Sequence, residues 1–331
     1  KQTKYKANIT ATGKYLPERI ITNIELEKLV DTSDEWIQTR TGICERRIVK
    51  KGQASSEMST NAVLDLMNKH NVSAKEIDAI IIATITPDMM FPATAAIVQK
   101  NINATNAWGY DLSAACSGFL FALESGSALI SSGQCKKVIV VGVDTMSSIL
   151  DFTDRNTCIL FGDGAGAILL EPSKKYGIID SKLKLDGTGG EFLNMPAGGS
   201  LLPASEETIK KRLHYVHQDG KTVYKKAVNE MANISHQVAK RNNLSNEDIN
   251  LFIPHQANKR IIDAAAKKMG LKKSQIMINI NKYANTTSAT IPICIAEAQE
   301  KQLLKKGDNV ILSTFGAGFS WGAMYLKWGL S

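Results

Sequence analysis

Cys116 has the setting of a catalytic thiol. It lies in a run of small residues, Ser113 to Gly118, that is typical of a tight strand-to-helix turn, and residues 119–129 predict a buried helix directly after it. A thiol at a helix start is expected to have a lowered pKa, and the thiolate is the nucleophile in thioester exchange. The alternative is a small buried cysteine packed near a turn.

The other cysteines have less distinctive surroundings, and we interpret them as structural. They are Cys44, Cys135, Cys158 and Cys294. The total of five is odd and no pair has CxxC spacing, so neither a disulfide framework nor a zinc site is expected. Free thiols of this kind predict a reducing, cytoplasmic location.

Two further residues stand where chemistry is expected. His255 follows an apolar strand that Pro254 terminates, and the carboxyl ends of strands are where α/β proteins place function. A satisfied structural histidine is the alternative. Asn285 lies in a polar loop before a helix predicted over 291–304, and an ordinary helix cap would explain it equally well. The remaining histidines, His70, His214, His217 and His236, are predicted at the surface.

Two glycine-rich turns, residues 161–167 and 315–322, could bring the backbone close to a ligand. A backbone N–H of the second turn, beside that of Cys116, could form an oxyanion hole. Neither turn is a Walker sequence or a complete dinucleotide fingerprint, which disfavours a phosphate-binding loop.

An internal repeat organises the elements that must position these groups. Apolar strands alternate with amphipathic helices, which predicts a layered α/β protein. Residues 71–81 resemble residues 243–253, an offset of 172, and the same offset places 138–141 over 310–313. Chance similarity is the alternative. We predict two halves, 1–174 and 175–331, whose equivalent loops meet at a central site.

Composition narrows the function classes. The 331 residues are 44% apolar and 22% charged, as in ordinary globular proteins. No apolar run approaches the roughly 20 residues of a membrane span, and no secretory signal opens the sequence. The net charge of +8 suggests an acidic partner: nucleic acid, an acidic protein or a phosphate-bearing substrate. No nucleic-acid-binding motif is present, so nucleic acid is disfavoured.

Taken together, these motifs resemble the β-ketoacyl-acyl carrier protein synthase III family of thiolase-like condensing enzymes. The resemblance runs nearly end to end, and its motifs are residues 32–43, 111–119, 153–155, 161–167, 253–258, Asn285 and 315–322. It implies a duplicated thiolase-like fold in an αβαβα layered arrangement. It also implies a homodimer and decarboxylative condensation of an acyl-coenzyme A primer with malonyl-acyl carrier protein, initiating fatty acid synthesis.

The resemblance implies specific roles. Cys116 would carry the acyl group, while His255 and Asn285 would stabilise the enolate formed by decarboxylation. The backbone N–H groups of Cys116 and Ala317 would form the oxyanion hole. Because decarboxylation makes the nucleophile, neither a metal nor a redox cofactor is expected, and coenzyme A enters only as a substrate.

The family's binding positions also map onto this sequence. Trp36, Arg40, Arg155 and Asn258 would bind coenzyme A, with the adenine between Trp36 and Arg155. Phe91 would reach across a dimer interface to close the acyl pocket, which Phe161 would also line. Arg260, Lys225, Lys267 and Lys268 would dock the acidic carrier protein, although a solvated helix surface explains the lysines equally well.

Several residues depart from the family pattern, so the size of the acyl primer is not determined by the resemblance. Ala284 stands where a glycine often precedes the asparagine, Asn156 follows Arg155 where glycine is frequent, and Ala317 replaces the middle of three glycines. Met89 and Met90 lie beside Phe91.

The catalytic residues that related condensing enzymes require distinguish this sequence from them. Elongating synthases need a second histidine after His255, and thiolases need a second cysteine in the last glycine-rich loop; this sequence has neither. No clear glutamate base of a hydroxymethylglutaryl-coenzyme A synthase is found. The alternatives that stay open are a specialised starter, polyketide or quinolone-type synthase, and a non-catalytic acyl-coenzyme A-binding module.

Overall fold

Strands and helices alternate along the chain in the computed structural model, which describes residues 5–331. The strands are β1 (Lys6–Tyr15), β2 (Arg19–Thr22), β3 (Glu45–Ile48), β4 (Ala79–Ala83), β5 (Trp108–Leu112), β6 (Val138–Thr145), β7 (Asp163–Ser173), β8 (Gly177–Leu185), β9 (Leu193–Asn194), β10 (His217–Gln218), β11 (Leu251–Pro254), β12 (Asn309–Gly316) and β13 (Ser320–Lys327). The α-helices are α1 (Asn23–Leu26), α2 (Asp34–Thr41), α3 (Ser55–His70), α4 (Thr94–Asn101), α5 (Gly118–Ser131), α6 (Arg155–Cys158), α7 (Glu206–Lys210), α8 (Gly220–Arg241), α9 (Lys259–Lys268), α10 (Ile280–Tyr283) and α11 (Thr290–Glu300).

The two large sheets have matching strand orders. The first runs β1-β7-β6-β4-β5 and the second β8-β13-β12-β11. Each sheet has an equivalent parallel pair, β4 with β6 or β11 with β12, and the strands beyond β6 and β12 pair antiparallel. The first sheet has a second parallel pair, β4 with β5. The smaller sheets pair β2 with β3 and β9 with β10.

The duplication is visible residue by residue. Ala79 pairs with Val138 in the first sheet, and Leu251 pairs with Val310 in the second, so both partners are displaced by the predicted 172 positions. Helices α5 and α11 start at equivalent positions, Gly118 and Thr290. The two sheets use residues 6–173 and 177–327, on either side of position 174. That the halves are separate domains stays a prediction.

The buried strands carry apolar side chains on both faces because helices cover both sides of each sheet. On β4, Ala79, Ile81 and Ala83 point toward a central cluster shared with α5 and α11, whereas Ile80 and Ile82 point outward to α3 and α4. Helix α8 and the end of α9 cover the outer face of the second sheet. The layers are therefore helix, sheet, helix, sheet, helix, which confirms the predicted αβαβα arrangement.

Two predicted boundaries can be compared with the structure. Strand β11 ends at Pro254 as expected, whereas α11 ends at Glu300 and not at residue 304. The chain leaves the helical conformation at Gln302, whose φ is 55°. Among residues 5–331, no helix is both long and apolar enough to cross a membrane.

Candidate active site

Cys116 lies in the 3-10 turn Ala115–Ser117, between β5 and the first residue of α5. The turn depends on an unusual backbone angle, since Ala115 has a φ of 47°. The equivalent turn of the second half, Thr287–Ala289, repeats the same feature with a φ of 50° at Thr287. The duplication therefore places two similar turns, one carrying the thiol, at the starts of the two central helices.

Each half of the molecule forms hydrogen bonds to the 3-10 turn of the other half. Thr314 of β12 donates its hydroxyl to the Cys116 carbonyl at 3.0 Å, and Ser117 donates to the carbonyl of Ser320, also at 3.0 Å. Gly316 is needed at the contact, because a Cβ there would lie 2.9 Å from the Cys116 nitrogen. The glycine-rich turn thus lets its backbone approach the backbone of Cys116 closely.

Asp144 of β6 makes the reciprocal contact with the second turn. Its buried carboxylate accepts hydrogen bonds from the Thr287 hydroxyl and from the backbone and hydroxyl of Ser288. It also accepts from Thr84, Thr86 and the Ile85 nitrogen. Sequence analysis did not single out Asp144, although it is an isolated acid at the end of an apolar strand and lies 172 positions before Gly316.

His255 leaves the end of β11 and is buried. Its backbone N–H donates to Ser313 at 2.7 Å, which aligns the residue with β12. The ring Nδ1 lies 2.6 Å from the Thr290 hydroxyl, while Nε2 is buried without a protein partner in the described part of the chain. Burial lowers the pKa of His255 to about 3. The imidazole is therefore neutral at physiological pH.

Asn285 is held by both its backbone and its side chain. Its N–H donates to Leu160 and its carbonyl accepts from Gly162, each at 3.0 Å, as part of a bridge to Phe161. Its side-chain Oδ1 accepts the N–H of Thr287 at 2.8 Å. That bond turns the carbonyl oxygen toward the turn and leaves the amide NH₂ as the donor group for a ligand.

These three residues line one cavity of about 1210 Å³. Ala317 lines the same cavity. Apolar side chains form much of the interior, among them Leu112, Phe121, Met146, Ile149, Phe161, Leu193, Val216, Val223 and Met231. An apolar chamber with a few convergent polar groups suits an acyl chain joined to a reactive thioester.

The protonation state of the thiol differs from the sequence-based expectation. Burial, and secondly the charge of Asp144, raise the pKa of Cys116 to about 12. The prediction of a lowered pKa is therefore wrong for the ligand-free enzyme, because desolvation of a thiolate outweighs the favourable helix start. The Cys116 side chain is therefore a protonated thiol at physiological pH.

The predicted coenzyme A residues lie at the mouth of the cavity. Trp36, Arg40 and Asn258 line it, and the guanidinium of Arg155 lies 5.1 Å from the Trp36 ring centroid. A base stacked between them would require about 7 Å, twice an ordinary contact distance. Arg155, which also donates to the Asp31 carbonyl, must therefore move if adenine is to lie between the two side chains.

The two predicted acyl-pocket residues have different positions. Phe161 is buried in the cavity wall. Phe91 is 84% exposed and lies outside the cavity of its own chain. Its predicted role therefore depends on a second chain.

The predicted docking residues are exposed on α8 and α9. Arg260 lines the cavity mouth, with its guanidinium 5.3 Å from the ring centroid of Tyr224. Lys225, Lys267 and Lys268 are exposed and lie outside the cavity lining. Lys221, which sequence analysis did not single out, adds a charge to the cavity lining as the second residue of α8.

The chain matches known proteins over almost its whole length. Residues 110–187 match the family described as 3-oxoacyl-[acyl-carrier-protein] synthase III, and residues 239–328 match its C-terminal part. A β-ketoacyl-[acyl-carrier-protein] synthase III of Chlorobaculum tepidum is 54% identical over 327 residues, covering 98% of this chain and 99% of the relative.

Solved structures agree with these sequence matches. The 3-oxoacyl-[acyl-carrier-protein] synthase III of Aquifex aeolicus is 40% identical, with a TM-score of 0.90, over 97% of this chain and 100% of that one. The priming β-ketosynthase of the R1128 polyketide pathway is 30% identical, with a TM-score of 0.91, over 98% of this chain and 96% of that one.

Proposed function

Because the chain belongs to the β-ketoacyl-[acyl-carrier-protein] synthase III family, we propose that it condenses an acyl-coenzyme A primer with malonyl-acyl carrier protein. The product is a β-ketoacyl-acyl carrier protein, and the reaction initiates fatty acid synthesis. The observation that carries this function is the convergence of Cys116, His255 and Asn285, from three separate segments, on one largely apolar cavity.

In the first half-reaction, the sulfur of Cys116 attacks the primer thioester. The acyl group passes to Cys116, and the thiol proton leaves with coenzyme A as its free thiol. The backbone N–H groups of Cys116 and Ala317 are the donors for the tetrahedral oxyanion, and the contact between Gly316 and Cys116 brings these two segments together. The apolar interior receives the acyl chain.

In the second half-reaction, malonyl-acyl carrier protein replaces coenzyme A. Loss of carbon dioxide leaves an electron pair on the α-carbon, delocalised onto the thioester oxygen. The NH₂ of Asn285 and the Nε2–H of neutral His255 donate to that oxygen. The carbanion attacks acyl-Cys116, and the released thiolate takes one proton from solvent. The reaction balances without a metal or redox cofactor.

The direct test is intact-protein mass spectrometry after mixing with acetyl-, isobutyryl- or octanoyl-coenzyme A. We expect an acyl adduct that Cys116→Ala abolishes and that Cys44→Ser, which removes an exposed thiol, retains. The best-loaded primer identifies the chain length. Absence of any adduct in the wild-type enzyme would contradict the function and favour an acyl-coenzyme A-binding module.

The two half-reactions separate the proposed roles. His255→Ala and Asn285→Ala should each reduce malonyl decarboxylation by about 100-fold, because each removes one donor to the enolate oxygen. Acyl transfer to Cys116 should fall far less. Equal losses of both activities would contradict this division.

We assign carrier-protein docking to the basic face formed by Arg260, Lys225, Lys267 and Lys268, beside the cavity mouth. Arg260→Ala should raise the KM for malonyl-acyl carrier protein and leave acylation by acyl-coenzyme A unchanged. Lys240→Ala is the control, since Lys240 is an exposed lysine of α8 about 22 Å along the helix from Lys225. Equal effects of the two variants would show that total charge, and not this face, attracts the carrier protein.

A homodimer is proposed from the exposed edge of the first sheet. Strand β5 is the last strand of that sheet, and Trp108 on it is 45% exposed. Met90 and Phe91, in the segment between β4 and α4, are 85% and 84% exposed. Light scattering should give twice the mass of one chain, and Phe91→Ala should alter primer selectivity without altering that mass. A monomer that is fully active would contradict the assignment of Phe91.

A specialised starter synthase is the second candidate, supported by the similarity to the polyketide priming β-ketosynthase. Preferential loading of a long or unusual primer would favour it over an enzyme of general fatty acid synthesis. A cytoplasmic location is proposed because all five cysteines are free thiols.

A further inference from the structure

The ring of His255 has two nitrogens in unlike surroundings. Nδ1 lies 2.6 Å from the Thr290 hydroxyl, whereas Nε2 has no protein partner within residues 5–331, and the residue lines the cavity. A neutral imidazole carries one N–H, so the partner of Nδ1 decides whether Nε2 is a donor or an acceptor. Enolate stabilisation requires a donor.

The Thr290 hydroxyl has one proton and two neighbouring atoms that can accept it. One is Nδ1 at 2.6 Å, and the other is the Thr287 carbonyl at 3.2 Å. That carbonyl already accepts the backbone N–H of Thr290. The shorter contact favours donation of the hydroxyl proton to Nδ1, and the Thr287 carbonyl then keeps the bond from the Thr290 N–H.

We propose that Thr290 is a positioning residue that fixes His255 in the Nε2–H tautomer, with the N–H facing the cavity as a ready hydrogen-bond donor. This inference rests on the proposed function, because it assigns the source of the donor that the second half-reaction needs. In the opposite tautomer Nε2 would present a lone pair and repel the enolate oxygen.

The surrounding structure holds the hydroxyl in place. Thr290 is the first residue of the central helix α11 and is only 2% exposed, so solvent does not compete for its proton. Its β-branched side chain restricts χ1. The turn before it is anchored by the bonds from Thr287 and Ser288 to Asp144. The same anchored segment carries Asn285, so one turn orients both donors of the proposed enolate site.

The tautomer can be measured directly. Histidine labelled with ¹⁵N gives a two-bond ¹H–¹⁵N pattern that distinguishes Nδ1–H from Nε2–H, and the chain has only five histidines. The signal that disappears in His255→Ala belongs to His255. We expect the Nε2–H pattern in the wild-type enzyme, and an Nδ1–H pattern would overturn the inference.

Activity measurements test the consequence. Thr290→Val removes the hydroxyl and keeps the side-chain shape, so malonyl decarboxylation should fall about tenfold or more while acylation of Cys116 changes less than about twofold. Thr290→Ser retains the hydroxyl and should restore decarboxylation and the wild-type NMR pattern. A Thr290→Val enzyme with full decarboxylation, or with both half-reactions equally impaired, would refute the assignment.

Failure of this inference is distinguishable from failure of the proposed function. If wild-type enzyme forms no acyl adduct, the proposed function fails, whatever the tautomer. If wild-type enzyme is acylated and condenses normally but His255 is Nδ1–H, only the role of Thr290 fails.

Discussion

Gly316→Ala tests whether the second half of the molecule positions the nucleophile. The added Cβ would lie 2.9 Å from the Cys116 nitrogen, 3.0 Å from its Cβ and 3.1 Å from the Ser117 nitrogen. All three neighbours belong to the turn that carries the thiol, and two of them are backbone atoms. Relief of the contact must therefore move the turn itself and not a flexible side chain.

The size of the effect follows from the overlap. Ordinary van der Waals contact begins at 3.4 Å, so the turn must move by 3.4 − 2.9, or about 0.5 Å. Overpacking of this kind costs about 1–3 kcal/mol of unfolding free energy. Misplacement of a reacting group by 1 Å can cost about 100-fold in rate, so a shift of half that size is expected to slow acylation about tenfold.

The assay is the rate of acyl-Cys116 formation, followed by quenched-flow mass spectrometry, together with urea denaturation. Gly187→Ala is the control, because no atom lies within 4 Å of a Cβ added there. It should leave both the rate and the stability unchanged. A Gly316→Ala enzyme that acylates at the wild-type rate would refute the positioning argument, even if its stability were lower.

The thiol of Cys116, the backbone of Ala284 and the ion pair of Arg212 can each be tested by one measurement. The rate of Cys116 alkylation by iodoacetamide should rise about tenfold per pH unit from pH 7 to 10, because burial keeps the thiol protonated below its pKa of about 12. An alkylation rate that reaches a plateau below pH 8 would contradict this. Ala284→Gly should stabilise the protein by about 1 kcal/mol in urea denaturation, since Ala284 has φ 56° and ψ −154°, a region that suits glycine; an unchanged midpoint would show that no strain is stored. Arg212→Gln removes the bidentate contact with Asp151 and should speed amide exchange in residues 205–216, whereas Lys211→Gln, which breaks an exposed pair, should not; equal exchange in both variants would contradict the role of Arg212.

The sequence alone determined the family, the layered α/β class and the duplication. Its motifs occur in the family's order. The alternation of strands and helices is a local pattern, and the repeat offset of 172 positions is found again in the strand pairing of the two sheets. Cys116 and His255 were candidates from their positions at a helix start and a strand end, whereas Asn285 was selected only through the resemblance to the family. Their roles stay proposals until the half-reactions are measured.

Tertiary structure decided how the two halves act on each other. The contacts of Gly316 with Cys116 and of Asp144 with Thr287 join residues more than 140 positions apart, so no local pattern could indicate them. The raised pKa of Cys116 has the same origin, because desolvation depends on everything packed around the thiol and not on the helix start alone. Thr290 was invisible for the same reason: its hydroxyl matters only because folding brings it 2.6 Å from the ring of His255.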